Sequence, residues 1–430
     1  MSAPLAIGIA GLGTVGAETI RLLQTEAETL ARRCGRVIEV RAVSARDRDR
    51  DRGIDLSSYR WYNAAPDLAA AGDIDVVVEL IGGADGVALD VAETAIAAGK
   101  ALVTANKALI AHHGTSLAER AERTGSALCF EAGVAAGIPV LKVLREGLVA
   151  NRLGRVYGIL NGTCNYILTE MERTGRGFDA VLREAQDKGY AEAEPDFDID
   201  GVDAAHKLAI LAGLAFGIRI DFAGVYTQGV RHVSAVDIGF ARDLGFRIKL
   251  LGIARLTEHG LEQRVHPCMV RLDTPLAHVD GTFNAVVAEG PAIDRVVLEG
   301  LGAGAGPTAS AVIADILDVA RGVRTPAFSV PATDLAACST APMECHTGPY
   351  YVRLSVVDRP GVIADISAIF RDEKLSIESL IQRGRAPGEV VSVVLTTHDC
   401  EEAGMRRALT AVEKLAAVTE SPVMIRIEHL

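Results

Sequence analysis

Apolar positions in the first third of the chain fall in short unbroken runs, while those near its end alternate with polar ones. Leu5, Ala6, Ile7, Ile9 and Ala10 form a run that is apolar on both faces, the mark of a strand buried inside a parallel sheet. Residues 18–30 continue with helical periodicity. Largely apolar stretches at 37–43, 75–81, 101–103 and 127–130, the first two carrying charged residues, are separated by helix-like stretches and predict further parallel strands joined by crossover helices. Strands between 231 and 301 fit a second, mixed sheet. Pro326, Pro331, Pro342 and Pro349 then punctuate a segment of weak periodicity that reads as a linker over 326–348. Beyond it, strands at 350–357, 376–383, 389–397 and 422–427, with helices after Pro360-Gly361 and from Glu401, predict the order βαββαβ over 349–430.

A chain of 430 residues is too long for one core, so two or three domains are expected. The expected division is 1–133 for the first domain, completed by about 305–325, and 134–304 for the second, ahead of the linker and tail. Hydrophobic content of 49% with only 4% aromatic residues describes a glycine- and alanine-rich α/β protein rather than a disordered chain or a β-sandwich. A formal net charge of −12, with no basic stripe to reverse it, speaks against nucleic acid. Arg46, Arg48 and Arg50 alternate with Asp47, Asp49 and Asp51, so that cluster is locally neutral. The seven cysteines are odd in number, dispersed and without a C-x-x-C pair, which fits reduced thiols in a cytoplasm. Cys345-His346 lacks a second pair at ligand spacing. The longest apolar stretch, 208–218, is too short to span a bilayer, and the run at Leu5 follows no basic n-region, so neither a membrane nor a signal segment is expected.

Gly11-Leu12-Gly13-Thr14-Val15-Gly16 stands between the first strand and the first helix. In that context G-x-G-x-x-G is a dinucleotide fingerprint: Gly11 permits the tight turn, Gly13 lets a pyrophosphate approach the backbone, and Gly16 lets helix pack on strand. The helix start supplies amides and partial positive charge to the phosphates. After the second strand the first charge is Arg46, not the acidic residue that holds a ribose 2′-hydroxyl, which favours NADP and leaves NAD possible. Lys107 follows the strand at 101–103, where ligands of an open parallel sheet sit.

Glu192, Glu194, Asp196, Asp198, Asp200 and Asp203 crowd the stretch 185–207, which ends on Lys207. Asp196-x-Asp198-x-Asp200-Gly201 copies the first half of an EF-hand loop, but its twelfth position is Lys207, a cation where a bidentate glutamate is required. Calcium is excluded. Asp203 and Lys207 stand four apart and share a face if Gly201 opens a helix. A carboxylate and an amine converging at a helix start suit holding a substrate ammonium and moving a proton.

The pattern Ala185, Gly189, Tyr190, Pro195, Asp198, Gly201, Asp203 and Lys207 resembles the signature of the homoserine dehydrogenases. The strings VVELIGG, VTANKALIA and GILNGTCNYIL, the last spanning 158–168, are similar to the same family. Ala191, Glu194 and Cys164 depart from its commoner residues without removing a charged group. Asp358-Arg359-Pro360-Gly361-Val362 looks like the opening of an ACT domain, a small module that binds amino acids. The resemblance implies a Rossmann-type doubly wound parallel sheet, a mixed α+β substrate and dimerisation domain, and a C-terminal βαββαβ ACT domain.

It also implies oxidation of L-homoserine to L-aspartate 4-semialdehyde, or the reverse, in threonine, methionine and isoleucine biosynthesis. Lys207 is then the candidate proton donor, with Lys107 close enough to tune it or share the role. Glu192 and Asp203 would hold the substrate ammonium, Gly162, Thr163 and Tyr190 would approach the substrate, and Gly189 would lie against the cofactor. Gly304, in the second glycine loop 302–306, would touch the cofactor as the chain returns to the first domain. A monovalent cation, usually sodium, would be held at Glu131, Val134, Ala136 and Ile138. A homodimer or homotetramer is implied, and an ACT module on such an enzyme implies feedback by L-threonine. Two rivals are a different amino-acid dehydrogenase, which would share only the first domain, and a non-enzymatic amino-acid sensor, against which the intact glycines and the Lys107, Asp203 and Lys207 set argue.

Overall fold

The computed structural model describes residues 3–383 and 388–430. Its first unit runs β1 (Leu5–Ala10), α1 (Thr14–Thr25), α2 (Ala27–Cys34), β2 (Ile38–Ser44), β3 (Arg60–Tyr62), α3 (Ala65–Ala70), β4 (Val76–Glu79), α4 (Val87–Ala97), β5 (Ala101–Thr104), α5 (Lys107–Thr124) and β6 (Leu128–Cys129). The strands form a parallel sheet in the order β3-β2-β1-β4-β5-β6. Every residue of β1, β4 and β5 is buried, because helices cover both faces, and this is why their sequences are unbroken apolar runs. The order reverses between β1 and β4, which opens a crevice beyond their carboxyl ends. The helix expected over 18–30 is corrected: it starts at Thr14, directly after Gly13, breaks at Glu26 and resumes as α2. Leu23 and Leu30 are buried on either side of the break, so apolar spacing alone could not reveal it.

The second unit contains α6 (Val140–Lys142), which runs into a π-helical turn (Val143–Gly147), then β7 (Arg155–Ile159), α7 (Gly162–Thr174), α8 (Phe178–Asp187), α9 (Asp196–Ile199), α10 (Val202–Phe216), β8 (Tyr226–Thr227), α11 (Ala235–Asp243), β9 (Phe246–Thr257), β10 (Gly260–Arg271), β11 (Phe283–Gly290) and β12 (Asp294–Leu301). The long strands pair antiparallel in the order β12-β11-β7-β9-β10. Helix α10 lies across β9 and β10 and is apolar around most of its circumference, as expected of a helix buried within a core. Helix α12 (Ala305–Arg321) then crosses back to pack on α1 and α2. The proline-marked segment that follows is anchored: Phe328 and Leu335 are buried, and single bridges join Ile218 to Ala336 and Leu261 to Thr340. Isolated bridges leave no periodic signal.

The tail comprises β13 (Thr347–Gly348), β14 (Tyr350–Val357), α13 (Val362–Asp372), β15 (Ile377–Gln382), β16 (Val390–Thr397), β17 (Cys400–Glu401), α14 (Glu402–Val412) and β18 (Val423–Glu428). The sequence leads one to expect a separate module, but its sheet is continuous with the preceding one. Strand β18 pairs parallel with β10 through Cys268↔Arg426, Met269↔Ile427 and Val270↔Glu428. The joint buries Arg264, which ion-pairs with Glu428 and with Glu262 (2.6 Å), and Arg426, which pairs with Glu402 (2.6 Å). His266, Cys268 and Glu428 lie close enough to hold a metal, yet the Arg264 guanidinium bonds His266 (2.8 Å) and Glu428, so a protein cation already serves that cluster. His346 faces Glu262 at 3.4 Å in the same network.

Candidate active site

The crevice at the strand reversal deepens into a cavity of about 700 Å³ between the first sheet and the second unit. Val15, Lys107, Ala136, Gly162, Thr163, Gly189, Tyr190, Glu192, Asp198, Asp203, Lys207 and Gly304 all line it. Residues far apart in sequence thus converge there, while Gly11, Leu12, Gly13, Thr14, Gly16 and Arg46 lie outside its lining, and so do Glu131, Val134 and Ile138.

At its floor, α10 begins at Gly201, whose φ of 87° is a left-handed conformation that glycine adopts without strain. A Cβ there would also press on Thr227 and Val265, at 3.1 and 3.2 Å. This start places Asp203 in the first turn and Lys207 one turn later. Lys207 Nζ donates to Asp203 Oδ2 (2.8 Å) and to the Leu160 carbonyl (2.8 Å), which leaves the third N–H of an ammonium available. Lys107 reaches the other Asp203 oxygen at 3.1 Å. Burial alone would raise the Asp203 pKa, but Lys207 and Lys107 outweigh it and hold the carboxyl well below the usual carboxylate range. Burial likewise opposes charge on Lys107, yet Asp203, with Asp198 and Glu192 behind it, raises its pKa.

Asn161, Asp198, Phe197, Asn106 and Glu79, which sequence reasoning left without a role, complete this floor together with Thr163, Tyr190 and Glu192. Asn161 caps α7 through Cys164 N and donates to both Asp203 (2.8 Å) and Asp198 (2.9 Å). The single Thr163 hydroxyl proton is shared between the Tyr190 carbonyl (2.8 Å) and Asp198 (3.1 Å). Burial and then Asp203 raise the Asp198 pKa, so two neighbouring carboxyls are pushed in opposite directions. The Tyr190 ring packs against that of Tyr166 in a tilted arrangement, with centroids 4.9 Å apart, and Glu192 is exposed at the rim. Beneath Lys107, Phe197 presents its ring to the ammonium at 5.7 Å and is itself stacked on the buried His206. Lys107 is aimed from the other side by Asn106, which caps α5 through Leu109 N and donates to the Gly83 carbonyl (2.6 Å). The buried Glu79 accepts from Thr104 (2.5 Å) and from the amide of Ile81 (2.7 Å), tying β4 and β5 together below. The sequence signal for these was the strings VVELIGG and VTANKALIA, which carry Glu79, Thr104 and Asn106.

The glycine loop fits a dinucleotide on geometric grounds. A Cβ on Gly11 (φ 102°) would stand 2.4 Å from the Leu80 carbonyl, and one on Gly16 would stand 2.1 Å from the Gly11 carbonyl. Gly13 has open space instead, and as the N-cap of α1 it offers no side-chain acceptor to the first amides. An anion can therefore reach those N–H groups. Arg46 is exposed just past β2. The cluster beside it is more ordered than its alternating charges imply. Arg52 donates to the Leu12 carbonyl (3.0 Å) and to that of Asp47, and Arg48 and Arg52 both face Trp61.

The joint between the first two units starts at Glu131. Its carboxylate accepts the amides of Leu141 (3.0 Å) and Lys142 (2.8 Å), capping α6, and burial followed by the nearby Asp315 pushes its pKa up to about 7. The Ile138 carbonyl accepts from Val140 N (2.7 Å), whereas no backbone hydrogen bond reaches the Val134 or Ala136 carbonyl among the described residues. Oxygens so placed suit a hard cation only if Glu131 and Ile138 use their remaining lone pairs.

The chain is similar to known proteins along nearly its whole length. Residues 11–131 match the family model for the homoserine dehydrogenase NAD-binding domain, 139–317 that for homoserine dehydrogenase, and 350–417 that for the ACT domain. The chain is 44% identical to the homoserine dehydrogenase of Pseudomonas aeruginosa, with 99% of each chain covered. It is 43% identical to that of Neisseria gonorrhoeae, again over 99% of both. The crystal structure of a homoserine dehydrogenase from Thiobacillus denitrificans superposes with a TM-score of 0.93 at 44% identity, covering 99% of this chain and 98% of that one. The chain therefore belongs to the homoserine dehydrogenase family, and it is an NAD(P)-dependent oxidoreductase that interconverts L-homoserine and L-aspartate 4-semialdehyde and carries a C-terminal ACT domain.

Proposed function

We propose that Lys207 moves the hydroxyl proton in this interconversion, with Lys107 sharing the charge that develops on the same oxygen. The observation that carries this reading is the Lys207 ammonium, fixed by Asp203 and the Leu160 carbonyl with one N–H left for a ligand in the cavity. A nicotinamide, when bound, supplies or accepts the hydride. The protein orients the two reacting carbons and manages the proton. Asp203 holds both lysines in place, and Glu192, Asp198 and Asp203 form the acidic side that receives the substrate ammonium. Gly162, Thr163 and Tyr190 shape the substrate wall, and Gly189 and Gly304 border the cofactor. Purified protein given L-homoserine with NADP, or with NAD, should reduce the cofactor, read as the rising absorbance of the reduced nicotinamide ring. No reduction of either cofactor would sink the assignment.

NADP is the preferred cofactor in this reading, with Arg46 and its neighbours around the adenosine end and no acidic residue at the close of β2. Arg46→Ala should then raise KM for NADP more than KM for NAD; equal changes would show that Arg46 does not read the 2′-phosphate. A sodium ion at Glu131, Val134, Ala136 and Ile138 would brace the joint between the units. Assembly as a homodimer or homotetramer is supported by the exposed apolar side chains of Phe283, Val297 and Leu301 on β11 and β12. The seven free cysteines fit a reducing cytoplasm, and no helix among the described residues is long and apolar enough to cross a membrane.

Feedback by L-threonine through the ACT domain belongs to the same proposal. Gly361, at φ 95°, caps α13 without a side chain, so backbone amides there are open to the effector's carboxylate. Cutting the chain near Thr347 would remove β18 from β10 and leave Arg264 without Glu428, so a point change is the cleaner test. Gly361→Ala strains that cap and should weaken threonine inhibition while sparing turnover without effector. Identical titration curves for the two proteins, or no inhibition of either, would make the tail an assembly element only.

A further inference from the structure

A second cavity, of about 390 Å³, lies at the open edge of the first sheet beside β6, between α5, the π-helical turn and α12. It shares no lining residue with the active-site cleft. Its volume falls in the usual range for small-molecule sites, roughly 300–1,000 Å³. Arg145, in the π-helical turn, lines it and is only 7% exposed. Its Nε is buried with no hydrogen-bond partner, and its only hydrogen bond among the described residues is a 3.4 Å contact from Nη2 to Glu146. A guanidinium so far out of water normally has acceptors matched to its fork of donors. Short π-helical turns also recur at functional sites.

The other acids along the wall are already engaged. Asp315 accepts the Glu131 amide (2.9 Å) and pairs with Lys142 (3.4 Å). Asp318 pairs with Lys142 and with Arg321 (3.3 Å), and Glu122 takes the Ala332 amide on both its oxygens (2.9 Å). Glu146 has only the long contact to Arg145, and its side chain is 42% exposed. Arg145, whose charge reaches Glu131 and Asp315 but whose donors are mostly unfilled, and the little-used Glu146 therefore stand side by side, facing walls of Ala118, Ala121, Leu128 and Pro331. An α-amino acid carries its carboxylate and ammonium on one carbon, which matches that adjacency, and an aliphatic side chain matches the walls.

We propose that this cavity binds a small aliphatic α-amino acid as its zwitterion, with the carboxylate on Arg145 and the ammonium on Glu146. The site lies apart from the ACT domain and does not depend on the dehydrogenase reaction. The test is titration calorimetry on the full chain with L-isoleucine, isovalerate and isobutylamine. L-Isoleucine should bind saturably, and Arg145→Met should weaken it by about 10–100-fold, the range for a charge-assisted hydrogen bond. Val323→Trp, at the exposed mouth, leaves Arg145 in place and should block binding as well. Unchanged binding in both variants, or no saturable binding to the parent, would overturn the proposal. Isovalerate binding as tightly as L-isoleucine would overturn the zwitterion.

Discussion

Lys207→Ala is expected to lower kcat by about 10²–10⁴-fold, the usual contribution of a positioned proton-transfer group, with little change in cofactor affinity. The reason lies in where its bonds go. Two N–H groups are fixed by Asp203 and Leu160, so the ammonium is oriented before substrate arrives, and its interaction strengthens as charge builds on the substrate oxygen. In the proposed arrangement the cofactor phosphates would sit on the amides at the start of α1, outside the cavity that Lys207 lines, and should not sense the change. Steady-state kinetics with separate cofactor-binding titrations checks this. A folded variant with near-parental turnover would reduce Lys207 to a structural partner of Asp203.

Asp203→Ala should remove measurable turnover and also destabilise the fold, because it leaves Lys207 buried with no counter-charge. Breaking a buried pair typically costs about 3–5 kcal/mol, and the lower end is expected here since Lys107 stays partly in water. The pH dependence has a definite sign. The folded pKa of Asp203 is depressed, so its stabilisation is complete above the unfolded value of about 3.9 and is lost as pH falls through the folded value. Urea unfolding of parent and variant should therefore differ most near neutrality and converge in acid. A constant difference between pH 7 and strongly acidic conditions (roughly pH 2, well below a free carboxyl) would contradict the linkage.

Much of this molecule is legible in its sequence. The inner strands β1, β4 and β5 are dominated by apolar residues because both their faces are covered, and the glycine loop announced itself by standing between β1 and α1. The pairing of Asp203 with Lys207 followed from four-residue spacing on one helix, which needs no tertiary information. Local periodicity could not show the break at Glu26, since buried leucines continue the pattern on both sides. Nor did it give roles to Asn161, Asp198 and Asn106, because a polar side chain has no period and its partners lie elsewhere in the sequence.

Tertiary structure alone decided three things. It brought Lys107, at the start of α5 in the first unit, to within 3.1 Å of Asp203, a contact across ninety-six positions that only the docking of the two units can make. It joined the tail to the second sheet through β10 and β18, which buries Arg264, Arg426, Glu262 and His266 on strands whose polar residues would otherwise read as a solvent face. It also closed a cavity around Arg145 from segments between Ala118 and Pro331. Sequence determines which residues share a helix face or a strand, because backbone geometry fixes those neighbours at short range. Which charges meet across units depends on how the packed faces fit, and that is settled only when long-range contacts offset the desolvation of the groups they bury.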